Sequence, residues 1–244
     1  MAEKLKSAMQ SLRFGLLLRT AIFWSLLGWG VGGGFFPGII FLGVATFLYA
    51  QPAFNALQFL YAYIALIGIS FALPMLESAG LGNAAGLFIA ALFYMLLRLK
   101  ELLFIRRLWW HEALHAGMLY LATLAYFSVG VSEYFVLKHF GLGIVFFLLA
   151  YELLGTHGIP AYNFRQRIAA LTLTLLFLEI VWVVTLLPIG YASAAGISAL
   201  AGFTFLHLSV SAASGLLRRD TVAKHIALAG FFILLIAALS RWKV

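Results

Sequence analysis

The chain has 244 residues, 64% hydrophobic and only 10% charged, with a mean hydropathy of +1.06. A water-soluble domain must solvate its exterior and does not tolerate so apolar a composition, so the expected class is an all-α, polytopic integral membrane protein. Its 16 Lys and Arg outweigh 8 Asp and Glu to give a net charge of +8, but they cluster between apolar runs, which marks membrane orientation and excludes a nucleic-acid-binding face.

Residues 1–19 form a basic segment with Lys4, Lys6, Arg13 and Arg19, expected on the cytoplasmic side. Arg19 interrupts the first apolar run and no small-x-small cleavage site follows, so this end reads as a retained signal-anchor. The apolar runs then fall at 20–36, 37–51, 53–74, 84–98, 108–130, 139–155, 168–188, 190–216 and 225–241. A helical span needs about 20 residues, and about 17 at the least, so 37–51, 84–98 and 225–241 are marginal.

Charge parity arbitrates among them. The clusters Lys4/Lys6/Arg13/Arg19, Arg98/Lys100/Arg106/Arg107, Arg165/Arg167 and Arg218/Arg219/Lys224 hold 13 of the 16 basic residues. Positive residues favour the cytoplasmic side, so an even number of spans should separate successive clusters, which requires 37–51 to cross. The expectation is eight or nine transmembrane helices with a cytoplasmic N-terminus. Residues 1–244 then form a single membrane domain, with no soluble domain, in the inner (plasma) membrane of a prokaryote. The prolines Pro37, Pro52, Pro74, Pro160 and Pro188 fall at span ends, where they cost little. The glycines of 28–34, with Gly80, Gly82 and Gly86, are expected to let helices pack closely. The basic cluster at 98–107 is expected to contact anionic headgroups.

The chemistry-bearing motif is Trp109-Trp110-His111-Glu112-Ala113-Leu114-His115, an H-E-x-x-H set at the start of a span. Histidines four apart share a helix face and can hold one metal ion, and the adjacent glutamate can serve as a base. With the orientation above, His111 lies about 5 Å and His115 about 10 Å into the span, and His207 roughly 13 Å from the inner end of 190–216. Glu152 falls near the inner end of 139–155 and Glu179 near the middle of 168–188. His111 and His115 are therefore expected as zinc ligands, with Glu112 as general base. The third ligand is sought in His207, Glu152 or Glu179. A metal-free interfacial cluster beside Trp109 and Trp110 explains the same residues. A haem held by His111 or His115 with His207 is the lesser alternative. With no cysteine in the chain, thiolate ligands and iron–sulfur clusters are excluded.

The HEALH run resembles that of site-2-type intramembrane metalloproteases, which carry H-E-x-x-H in a membrane helix. Their later L-D-G motif has no counterpart here, since the one aspartate, Asp220, stands in Arg218-Arg-Asp-Thr. Ile197-Ser-Ala-Leu-Ala-Gly-Phe203-Thr-Phe-Leu-His207 is similar to the F-x-x-x-H helix of the CAAX-protease and bacteriocin-processing membrane family. His225 falls where a later histidine of that family would be sought, and Lys100-Glu101-Leu-Leu-Phe-Ile-Arg106 and Tyr151-Glu152 echo its glutamate motif loosely. Both resemblances imply hydrolysis of peptide bonds within the membrane. The competing expectation is a non-enzymatic multi-span protein, such as a complex subunit, a lipid-binding scaffold or a small transporter. The partners expected are the lipid bilayer, a membrane protein or peptide substrate, and further copies or subunits.

Overall fold

A computed structural model describes residues 2–51, 57, 59–76, 79–101, 107–129, 135–156, 164–215 and 217–240. Arg106, Arg241, Lys243, Pro52 and Pro160 lie outside these described residues. Among the described residues the chain is all-helical, without a strand. Nine α-helices follow in order: α1 Ala2–Gly32, α2 Phe35–Ala50, α3 Leu60–Phe71, α4 Ala79–Glu101, α5 Arg107–Ser128, α6 Phe135–Thr156, α7 Phe164–Thr185, α8 Tyr191–Ala213 and α9 Arg219–Leu239. Each apolar run of the sequence corresponds to one helix. Six helices are long and apolar enough to cross a membrane: α1 over Phe14–Gly32, α4, α6, α7, α8 and α9 over Val222–Leu239.

The boundaries differ from the hydropathy reading in instructive ways. α1 starts at Ala2 and passes through the basic segment without a break. The runs 84–98 and 225–241 lengthen to helices of 23 and 21 residues, because helix formation continues through the flanking glycines and charges that end the apolar run. By contrast α2 keeps 16 residues and α3 has 12. α3 is cut short at both ends. Phe59 precedes it in the left-handed region with φ 61°, and Pro74 lies in the 3-10 turn Leu73–Met75 that follows it.

The chain divides into two compact units, Met1–Leu114 and His115–Val244. In the first, α1 packs on α2 and α4, and α3 on α4. Gly34 turns the chain from α1 into α2 with φ 91°, a value that an L side chain rarely adopts. Gly30 allows the close approach of the two helices, because a Cβ there would collide with Phe41. The expected role in helix packing thus holds at Gly30. At Gly28 and Gly32 a Cβ would meet nothing within 4 Å. Phe23 stacks on Phe93 with centroids 4.0 Å apart, locking α1 to α4.

Two cations gather at the C-terminal end of α2, where backbone carbonyls lack helical partners and the helix dipole is negative. Arg19 Nη1 donates to Gln51 O at 3.4 Å, and the Lys100 ammonium donates to Tyr49 O and lies 4.0 Å from the Tyr49 ring centroid. Lys100 is buried, which corrects the expectation that it faces headgroups. Arg98 lies over Trp110 at 5.3 Å. Arg19, Lys100 and the end of α2 therefore share one layer, so α2 returns to the level from which α1 leaves it.

In the second unit α7 packs between α6 and α8, and α9 packs on α8. Phe146 and Phe177 stack at 4.1 Å across α6 and α7. Gly202 of α8 receives the Phe177 ring, since a Cβ there would stand 2.7 Å from Phe177 Cε2 and 3.0 Å from Leu119 Cδ2. The Thr123 hydroxyl donates to Ala195 O at 3.1 Å, tying α5 to α8.

Candidate metal centre

The histidines of the HEALH motif sit in the first turns of α5. The division between the two units falls inside this helix, which is continuous through it, so the helix itself sets their spacing. Residues four apart differ by about 40° in direction, and both imidazoles are accordingly buried on one side, at 3% and 1% exposure. Leu114 and Met118, fully buried on the same side, exclude water from the face between and beyond them.

α6 supplies the third group. Glu152 is buried at 7% exposure in the last turns of that helix, and its Oε1 lies 3.6 Å from His115 Nε2. One ligand atom from each of His111, His115 and Glu152 can be chosen so that all lie within 4.8 Å of one another. The magnitudes bear on what this cluster is. A distance of 3.6 Å is too long for a hydrogen bond. Metal–ligand bonds of about 2.0–2.2 Å in tetrahedral geometry hold neighbouring donor atoms roughly 3.4 Å apart. The His115–Glu152 edge is within a few tenths of that. The donor set, two imidazoles and one carboxylate, is one that zinc accepts. A carboxylate this deeply buried is costly to keep ionised without an opposite charge beside it.

Neighbouring residues brace the cluster. Gln166 of α7, itself buried, donates from Nε2 to Tyr151 O at 2.6 Å, next to Glu152 in the chain. It reaches there because Gly155 has no side chain: a Cβ on Gly155 would stand 2.6 Å from the same nitrogen. Within the first unit the Phe59 ring lies against the His111 ring, with centroids 4.9 Å apart and planes at 46°. Phe59 holds that position from its left-handed backbone, a conformation that costs of order 1–3 kcal/mol for a bulky residue and is found where surrounding structure enforces it.

The remaining candidates separate. Glu112 is half-buried, about 60° around α5 from His115, beside the histidine face instead of on it. His207 is not part of the group. It stacks on His225 of α9 at 4.7 Å, with Phe203 one turn away at 6.3 Å. Glu179 is exposed on α7 and also lies outside the group. Of the five expected ligands, the structure gathers His111, His115 and Glu152 and leaves His207 and Glu179 apart. Both are placed on helix faces that point elsewhere, although His207 lies only six residues before the end of its helix.

Phe59, Gln166 and Gly155 were not legible as part of a site. No motif marks them, and the only signal is the pairing of a polar residue with a glycine across two helix ends. A second polar cluster, Tyr126 donating to or accepting from His139 Nδ1 at 2.7 Å with Lys138 donating to Val129 O at 2.7 Å, closes the α5–α6 connection. A cavity of about 720 Å³ in the first unit is lined by residues such as Trp24, Val31, Pro74 and Asn83. No family model matches this chain, and no curated protein or solved structure is significantly similar to it.

Proposed function

We propose that this protein is a membrane-embedded metal-dependent hydrolase acting on a carbonyl substrate, most simply a peptide bond, near one face of the bilayer. The observation that carries this reading is the buried His111–His115–Glu152 group with its 3.6 Å edge, next to a glutamate in H-E-x-x-H spacing. His111, His115 and Glu152 would hold a divalent cation, zinc being the fit for that donor set. Such a cation supplies Lewis acidity that polarises a carbonyl and acidifies water. Glu112 then takes the proton from the attacking water and passes it to the leaving group, as a carboxylate can when poised beside a reacting centre. Trp109, 77% exposed and two residues before His111, is the aromatic anchor expected at headgroup level, so substrate would enter from the interface.

The orientation belongs to the same proposal. Eight or nine crossings with the N-terminus in the cytoplasm of a prokaryote put the four basic clusters on the inner side, and the shared layer of Arg19, Lys100 and the end of α2 supports counting α2 as a crossing. The site would then open to the inner leaflet.

The test is metal analysis with activity. Purified protein should contain about one zinc per chain, and Glu112→Gln should keep the metal while losing hydrolysis of a quenched peptide reporter. Metal-free protein, or full activity in a His111→Ala/His115→Ala variant, would overturn the proposal. The second reading, a non-enzymatic multi-span protein in which the same residues join helices, draws on the burial of all three groups.

A further inference from the structure

α7 is a span of 22 residues whose two sides are sharply distinct. One side carries Ala170, Phe177 and Val181, all buried, with Phe177 stacked on Phe146 and seated at Gly202. The other is an exposed stripe at helical spacing: Ile168, Leu171, Leu175, Leu176, Trp182 and Val183. In the middle of that stripe stands Glu179, also exposed. Rotating α7 to bury Glu179 would pull Phe177 from its stack and out of the Gly202 notch, so the outward direction follows from the packing.

Glu179 lies about 22 Å along the helix from Phe164 and about 9 Å from Thr185. In a hydrocarbon core about 30 Å thick that is well inside. A short acidic side chain does not snorkel as lysine and arginine do, and ionisable groups at such depth characteristically pair with one another or line a functional path. Among the described residues no hydrogen bond or ion pair engages the Glu179 side chain.

We propose that the exposed stripe of α7 is the docking surface for a transmembrane helix of another protein that carries a basic side chain level with Glu179. Charge complementarity selects this occupant. A second copy related by a two-fold axis would set Glu179 against Glu179, two like charges. A heterologous contact between copies would have to draw on a basic side chain placed elsewhere: Arg19 donates to Gln51 O, Lys100 to Tyr49 O and Lys138 to Val129 O, Arg98 lies over Trp110, and Arg165, Arg167, Arg219 and Lys224 stand in the first turns of α7 and α9. A basic residue opposite Glu179 neutralises it, and the surrounding leucines and Trp182 supply the van der Waals surface on which membrane helices associate. The inference does not depend on the metal centre.

The experiment uses the full chain in phosphatidylcholine vesicles with three synthetic polyleucine transmembrane peptides, differing only by Lys, Leu or Glu six residues from one end. Association is read by energy transfer between labelled peptide and protein. The lysine peptide should bind about tenfold more tightly than the leucine peptide. Glu179→Leu should abolish that difference, and Glu179→Lys should transfer the preference to the glutamate peptide. Unchanged melting of both variants serves as the folding control. Equal binding of the lysine and leucine peptides, a lysine preference that survives Glu179→Leu, or dimers of the chain alone that Glu179→Leu dissolves would each overturn the proposal.

Discussion

Replacing Glu152 by glutamine separates a metal ligand from a partner in a metal-free pair. The two side chains have nearly the same shape, so the substitution changes charge and ligand quality with little change in packing. If the cluster holds zinc, a ligand that binds the folded chain stabilises it by about 2.7 kcal/mol at a free concentration of 100 Kd. In a chain of this size one kcal/mol shifts Tm by roughly 2–4 °C, so the wild type should gain about 5–11 °C. Outer-shell substitutions already weaken metal binding by about 10–100-fold, and loss of the anionic ligand should cost at least the upper figure. At the same zinc concentration Glu152→Gln would then sit near its own Kd, where the gain is roughly 0.4 kcal/mol and about 1 °C.

The metal-free alternative gives the opposite pattern. If Glu152 and His115 form a buried ion pair across their 3.6 Å contact, removing the carboxylate strands the other charge at a cost of about 3–5 kcal/mol. Tm would fall by roughly 6–20 °C with zinc chelated, and zinc would shift neither protein. The assay is thermal unfolding in detergent, with and without zinc buffered at a fixed free concentration, for wild type and variant. A zinc-dependent shift that is equal in both proteins, or a large loss in chelator with no zinc shift in the wild type, refutes the assignment of Glu152 as a ligand.

Three further substitutions test the packing that supports the site. Gly202→Val forces a side chain into the Phe177 ring and Leu119, and over-packing of this kind costs about 1–3 kcal/mol, so Tm should fall by roughly 2–12 °C; an unchanged Tm would show that α8 does not approach α7 so closely. Lys100→Met leaves the Tyr49 carbonyl without its buried cation and should destabilise by about 1–3 kcal/mol with no loss of binding to anionic vesicles, whereas a headgroup-facing lysine would show the reverse. Thr123→Val keeps the volume but removes the hydroxyl that reaches Ala195 O, and a cost near 0.6 kcal/mol is expected by thermal unfolding; a loss above about 2 kcal/mol would mean that this contact does more than join two helices.

The position of each residue along its helix was readable from the sequence, because a helix advances about 1.5 Å per residue. Nine apolar runs accordingly became nine helices among the described residues. Direction around each helix was not readable. In a soluble protein the polar side of a helix reveals its outer face, but a membrane helix is apolar both where it packs and where it meets lipid. α7 shows the consequence: Leu173 is buried and Leu175 exposed, two positions that composition does not distinguish. His207 and Glu152 were both expected in the same layer, yet only Glu152 turns toward the HEALH histidines, while His207 turns to His225. The same limit applies to carboxylates of one type in similar apolar surroundings. Glu152 points into the second unit because Leu149, Leu153 and Phe146 around it are buried, and Glu179 points out because Phe177 two residues earlier is fixed by Phe146 and Gly202. What decides between an inward-facing and an outward-facing carboxylate is therefore the bulky neighbour on the same helix and the glycine that receives it, and that pairing spans helices far apart in sequence.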